Sequence, residues 1–147
     1  MPSYQATDYL ALKTRADTLA LSPAMTIYEP GAIVDPPSDA IGPLPYILAS
    51  DVPNDPERVG LSSRGVAGVD HIRSGTFILA LQWPIARPVT HAQLVELAGQ
   101  IADHFPADLC MTYAQSRLRV TQDSAPLQPY IEGAYRVAVV RVFWNSI

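Results

Sequence analysis

Cysteine, lysine and charge are all scarce in this chain. A single cysteine, Cys110, in 147 residues rules out an intrachain disulfide and any multi-cysteine metal cluster. Lys13 is the one lysine, no Gly-Lys-Ser/Thr occurs, and Gly31, Gly42 and Gly60 build no phosphate-cradling loop. Charged residues make up 16% of the chain against 48% hydrophobic, which excludes a disordered polymer and leaves surface for partners to cover. The formal net charge of −4 argues against holding a nucleic-acid backbone, which needs clustered Lys and Arg to release counterions. No run approaches the roughly 18 consecutive apolar residues of a membrane span. The N-terminus lacks the basic-then-apolar order of a signal peptide, so the expectation is a soluble intracellular protein with no membrane partner. The length fits one domain, 1–147, with a real core.

What the sequence does have is concentrated between Asp70 and Phe105. His71 to Trp83 reads as a long strand whose Phe77, Leu79, Leu81 and Trp83 share one face, with Thr76, Ile78, Ala80 and Gln82 on the other. Pro84 and Pro88 stop it, because proline cannot donate to a ladder. Thr90 and Gln93 form a capping-box pattern, and Leu94, Leu97, Ala98, Ile101, Ala102 and Phe105 then make one helical stripe ending at Pro106.

The flanking chain completes this unit. Tyr4 to Leu21 reads as an amphipathic helix through Tyr9, Leu12, Ala16 and Leu19, capped by Ser3 or Thr7. Short strands are expected at 26–29 and 45–50, and Leu109–Tyr113 and Leu118–Thr121 as a hairpin joined by 114–117. The polar stretch 122–133 reads as an exposed loop. The nearly continuous β-formers of 134–144 read as a central strand covered on both faces, although Arg141 interrupts the face of Tyr135, Val137, Val139 and Phe143. The fold class is α+β: two helices packed on a mostly antiparallel twisted sheet. From Asp51 to Gly68 no period survives, and a loop of that length in a compact domain is usually functional.

Catalytic patterns are weak. His91 and His104 lie at opposite ends of one helix, roughly 20 Å apart at 1.5 Å per residue, and cannot share a metal. His104 is explained as a cation meeting the helix dipole, and Cys110 as a small core residue. Ser62 and Ser63 beside Asp70 and His71 lack the nucleophile-elbow context, and Asp51, Asn54, Asp55 and Glu57 lack the spacing of a calcium loop. No catalytic residue, cofactor or metal is therefore assigned. Arginine says more: Arg58, Arg64, Arg73, Arg87, Arg117, Arg119, Arg136 and Arg141 suit protein interfaces, where the planar fork pairs with carboxylates.

The pattern as a whole resembles the tail terminator family of long-tailed bacteriophages and the related minor tail proteins of gene transfer agents. The opening helix with its Leu-Ser-Pro exit, Leu-Pro-Tyr-Ile-Leu at 44–48, His71 to Pro84, Ile-Ala-Asp-His-Phe-Pro at 101–106 and Tyr-Arg-Val-Ala-Val at 135–139 carry the likeness. The resemblance implies a non-enzymatic virion protein of the tail, assembled in the host cytoplasm. It implies a homo-oligomer, a hexameric ring that caps the tail tube, stops its growth and offers a surface for head joining. Its partners would be copies of itself, the tail tube protein and a head–tail connector protein, with DNA only as transient cargo through the lumen, where an acidic wall would let it slide. In that setting the 51–68 loop docks on an axial neighbour, with Arg58 and Arg64 as anchors and Asp55 and Glu57 as counter-charges. The 122–133 stretch is a second contact, and an exposed edge strand offers pairing between subunits. Two other readings stand beside this one: a head-completion or connector protein docked one layer higher, and a small-molecule enzyme or binding domain with a pocket beside Trp83 and His71.

Overall fold

A computed structural model describes residues 3–55, 57–58 and 71–147 of the chain. Helix α1 (Tyr4–Asp17) starts where the Ser3 hydroxyl accepts from the amide of Ala6, and stops one turn before the expected Leu21. Strand β1 (Thr26–Tyr28) follows, then β2 (Tyr46–Pro53), which runs three residues past the point where the sequence loses its period. A two-residue strand β3 (Glu57–Arg58) pairs antiparallel with β4 (His71–Ile72). Arg73 breaks the expected long strand, and β5 (Ser74–Pro84) carries the rest of it.

Helix α2 (His91–Asp103) has the full capping box: the amide of Gln93 donates to the Thr90 hydroxyl (3.1 Å), and the amide of Thr90 to the Gln93 side chain (3.0 Å). Strands β6 (Cys110–Tyr113) and β7 (Ser116–Val120) form a hairpin with a two-residue turn, tighter than the expected 114–117, in which Ala114 takes φ +49°. The 122–133 stretch is not a plain loop. It holds β8 (Ala125–Pro126) and β9 (Tyr130–Glu132), both paired with β10 (Tyr135–Ser146). Gly133, at φ +59°, makes the β9–β10 turn.

Among the described residues one mixed sheet runs β1-β2-β5-β10-β7-β6, with β8 and β9 also on β10. All its pairings are antiparallel except β1 with β2. The architecture is α+β, a curled sheet with both helices on one face. Register decides that face. Ile47 and Ala49 of β2 align with Leu81 and Leu79 of β5, which align with Ala138 and Val140 of β10. These residues join Phe77, Trp83, Leu118, Val120, Val142 and Trp144 under Leu12, Leu94, Leu97, Ile101 and Phe105.

Two expectations are corrected here. Strand β10 is covered on both sides only in part: Ala138, Val140, Val142 and Trp144 are buried on the helix side and Val137 is buried on the other face beside Gln82 and Tyr46, whereas Val139, Arg141 and Phe143 on that face are half-buried. Cys110 is exposed rather than core, since Met111, its neighbour on β6, takes the inward position.

Candidate functional site

The arginines divide into those consumed by the fold and those left over. Arg15 donates through Nε and Nη2 to the carbonyl of His104 (3.0 and 2.8 Å), tying the ends of the two helices. Arg87 pairs with Asp39 and donates to the carbonyl of Pro43 (2.8 Å), pinning the Pro-rich connector to the β5–α2 corner and holding the Asp39 carboxyl down at about 2. Arg73 is bidentate on Asp8 (2.7 and 3.2 Å), with its guanidinium over the Tyr4 ring at 4.1 Å. Four others have no such anchor. Arg117 and Arg119 are exposed on β7, while Arg136 and Arg141 are half-buried, and the buried Nε of each lacks a partner among the described residues.

His104 also departs from its expected role. Its Nε2 lies 2.9 Å from the carbonyl of Arg15, which can only accept, so Nε2 carries the proton. Burial pushes its pKa below the ordinary value, with the nearby Arg15 charge in the same direction. A neutral imidazole stapling two helix ends replaces the expected helix-dipole cation.

Three surfaces have the character of contact sites. The first lies at the root of the 51–68 stretch, where Asp8, Asp51, Asp55, Arg73 and Trp144 line a cavity of about 250 Å³. Asp8 is buried, accepts 2.6 Å from the Ser116 hydroxyl, and that hydroxyl is 2.6 Å from Thr7 Oγ1. Burial, with the Asp8 charge behind it, raises the pKa of Asp51, and Asp51 Oδ1 has no partner among the described residues. Of the contact residues expected here, Asp55 sits exposed on this cavity. Glu57 and Arg58 fall in β3, aligned with Ile72 and His71, and Arg64 lies outside the described residues.

The second surface surrounds β8 and β9. Exposed Tyr130 and Ile131 border a cavity of about 180 Å³ that reaches Thr90 and His91 at the start of α2 and Arg136 on β10, and exposed Leu127 borders a neighbouring one with His91 and Val95. The third is the helix-free face of the sheet. Register places Leu48, Ser50 and Val52 of β2 beside Ala80, Ile78 and Thr76 of β5, and these beside Val139, Arg141 and Phe143 of β10. Arg119 continues the row through Asn145, and Arg117 lies next along β7.

The placement of the two residues gives no support to a small-molecule pocket beside Trp83 and His71: His71 falls in β4, ahead of the break at Arg73, and Trp83 is the next-to-last residue of β5. Trp83 instead donates to the carbonyl of Arg87 (3.2 Å) and lines an open groove along α2. Among the described residues no group of three or more His, Cys, Asp and Glu is placed to hold a metal ion, and no helix is long and apolar enough to cross a membrane.

An α+β fold with a helix-free sheet face, and with the buried Nε of Arg136 and Arg141 unpartnered among the described residues, is what the geometry defines. The chain belongs to the phage tail terminator protein family, whose sequence model matches residues 9–144. It is thus a member of a family of structural proteins of the phage tail. A solved structure that is 23% identical shares the fold, with a TM-score of 0.71 over 97% of this chain and 95% of its own. No curated protein matches the chain.

Sequence reasoning placed Arg141 among the arginines suited to protein interfaces and as an interruption of the face of Val137, Val139 and Phe143, but left it out of the expected contact residues. It missed Asp8. The available signal was its position four residues before Leu12 and eight before Ala16, on the buried stripe of α1.

Proposed function

We propose that this chain, acting as one domain over 1–147, forms a hexameric ring on the last ring of the tail tube, stops tube elongation and presents the surface to which the head joins. The family match across 9–144 is the observation that carries this reading. A subunit with exposed Tyr130 and Ile131 on an open edge and an unpaired sheet face suits a ring, where each copy presents two different patches to its neighbours. Its partners are copies of itself, the tail tube protein and a head–tail connector protein, and the genome passes through the lumen as cargo. The acidic root at Asp8, Asp51 and Asp55, with Glu57, Arg58 and Arg64 beyond it, serves as the axial contact. The ring acts by covering the surface on which the next tube ring would add, so no chemistry is required of it.

Electron microscopy of particles produced without this protein tests the reading. Tails of uncontrolled length that fail to join heads are expected, and normal joined particles would overturn it. Charge reversal at Arg58 and Arg64 is expected to weaken axial docking, and unchanged assembly would remove those residues from the contact.

A further inference from the structure

We propose that the helix-free face of the sheet is the surface on which a second copy of this chain docks through its exposed acids, with Arg141 as the central anchor. The inference rests on the ring reading and names the contact between neighbouring subunits.

Charge segregation is the first observation. The chain is acidic as a whole, yet across β2, β5, β10, β7 and β6 this face carries Arg117, Arg119 and Arg141 and no Asp or Glu. Glu132, out on β9, is the one carboxylate on the strands facing this way. Exposed acids lie away from this face, including Asp55 beside the half-buried Asp51 and, on α2, Glu96 and Asp103, and in a second copy they offer acceptors to its arginines. Contacts between unlike patches of identical chains close into rings when the rotation allows.

Missing hydrogen bonds are the second observation. Arg141 Nε and Asn145 Oδ1 are both buried and both without a partner among the described residues. They stand on the same face of β10 with Phe143 between them, and the Arg141 guanidinium lies 5.4 Å from that ring. One position calls for an acceptor and the other for a donor, at a spacing of about 13 Å along the strand. A docked surface that brings a carboxylate to the half-buried Arg141 guanidinium supplies its missing counter-charge, and a small turn of the Asn145 side chain lets its oxygen accept from the same surface.

Composition separates a protein partner from DNA. The middle of the face is Leu48, Ile78, Val139 and Phe143 around a single half-buried guanidinium, the aromatic-and-arginine core typical of protein contacts. A phosphate backbone calls for many exposed cations spread along its path, and only Arg117 and Arg119 here are exposed.

The full-length chain and its Arg141→Leu and Arg141→Glu variants would be compared by sedimentation and electron microscopy, alone and with tail tubes assembled without it. Loss of a central anchor is expected to raise the concentration needed for ring formation by about tenfold or more, with thermal unfolding of the unassembled chain unchanged. Rings forming equally well in all three would overturn this surface while leaving the terminator role intact. Salt-dependent binding of duplex DNA by the wild type, lost in both variants with rings preserved, would overturn it in favour of a lumen wall. Failure of the wild type itself to form rings on tubes would instead refute the ring reading beneath it.

Discussion

Replacing Asp8 tests whether the buried polar cluster under α1 holds the fold together. The carboxylate side chain is 5% exposed and takes three hydrogen bonds: two from Arg73 (2.7 and 3.2 Å) and one from Ser116 (2.6 Å). Asp8→Ala leaves the Ser116 hydroxyl, which is fully buried, with Thr7 as its remaining side-chain partner, and strips the Arg73 guanidinium of its counter-ion. Removing one member of a buried pair costs about 3–5 kcal/mol. Arg73, however, is 20% exposed and recovers some hydration, so a loss of about 2–4 kcal/mol is expected. For a chain of this size that lowers Tm by about 5–12 °C.

The assay is urea unfolding of wild type, Asp8→Ala, Arg73→Met and the double variant, which isolates the pairwise coupling. Because the double variant removes both charges together, it is expected to be more stable than the two single losses would sum to, by about 1–3 kcal/mol. Asp8→Asn is expected to lie between, since its carbonyl still accepts from Ser116. If Asp8→Ala costs less than about 0.5 kcal/mol, the cluster is solvated in solution and the reasoning fails. The location sharpens the test, because Arg73 sits between β4 and β5 at the root of the 51–68 stretch. Weakening the cluster should loosen the separate β3–β4 pair before the main sheet, which amide exchange at Ile72 against Leu79 would read.

Thr90→Ala removes the capping-box acceptor at the start of α2 and is expected to cost about 1 kcal/mol by thermal melting. Gly75→Ala places a Cβ 2.9 Å from the Trp144 ring and 2.9 Å from the carbonyl of Val52, so about 1–3 kcal/mol of overpacking is expected, with a shift in Trp fluorescence. His104 is held below its ordinary pKa, so the unfolded chain binds the proton more readily. The stability it confers is therefore full above pH about 6.5 and falls as pH drops toward the folded value. His104→Gln should narrow that pH dependence when unfolding is compared at pH 7.5 and 5.5.

Periodic elements were legible in the sequence and compensations between elements were not. The strand face of Phe77, Leu79, Leu81 and Trp83 and the stripe from Leu94 to Phe105 are local patterns, and all of these residues are buried as the spacing demands. The capping box was legible for the same reason, being two hydrogen bonds within four residues. Arg73 was read as mid-strand because its neighbours are β-formers. Its bond to Asp8, 65 positions earlier, decides the break, and no local window contains it. Likewise β8 and β9 exist because the far edge of β10 must be paired, a requirement invisible in the polar composition of 122–133. Cys110 was misjudged because its one-residue offset on a short edge strand reverses inside and outside. Of the residues expected at a contact, Asp55 is exposed, whereas the pooling of Arg117, Arg119 and Arg141 on one face depends on the sheet order, which no local pattern contains.

The two faces of this sheet answer different physical demands, and that division makes stability separable from assembly. On the helix side, apolar groups pack under α1 and α2, and the Asp8 cluster satisfies its polar members internally. On the bare side, Leu48, Ile78, Val139 and Phe143 remain half-buried, and Arg141 and Asn145 keep unspent hydrogen-bonding capacity. A subunit designed only to be stable would exchange Arg141 for an aliphatic residue, since an unpaired guanidinium beside Phe143 gains little and loses hydration. Its placement makes sense where a partner supplies the acceptor, so the cost falls on the free chain and the gain on the assembled one. The Gly75 variant, which touches none of these surfaces' charged groups, should therefore lower melting temperature without altering affinity between copies. Arg141 variants should do the reverse. A single variant of Arg141 that lowered melting as much as Asp8→Ala would show that the two faces are coupled and that the bare side belongs to the monomer's own core.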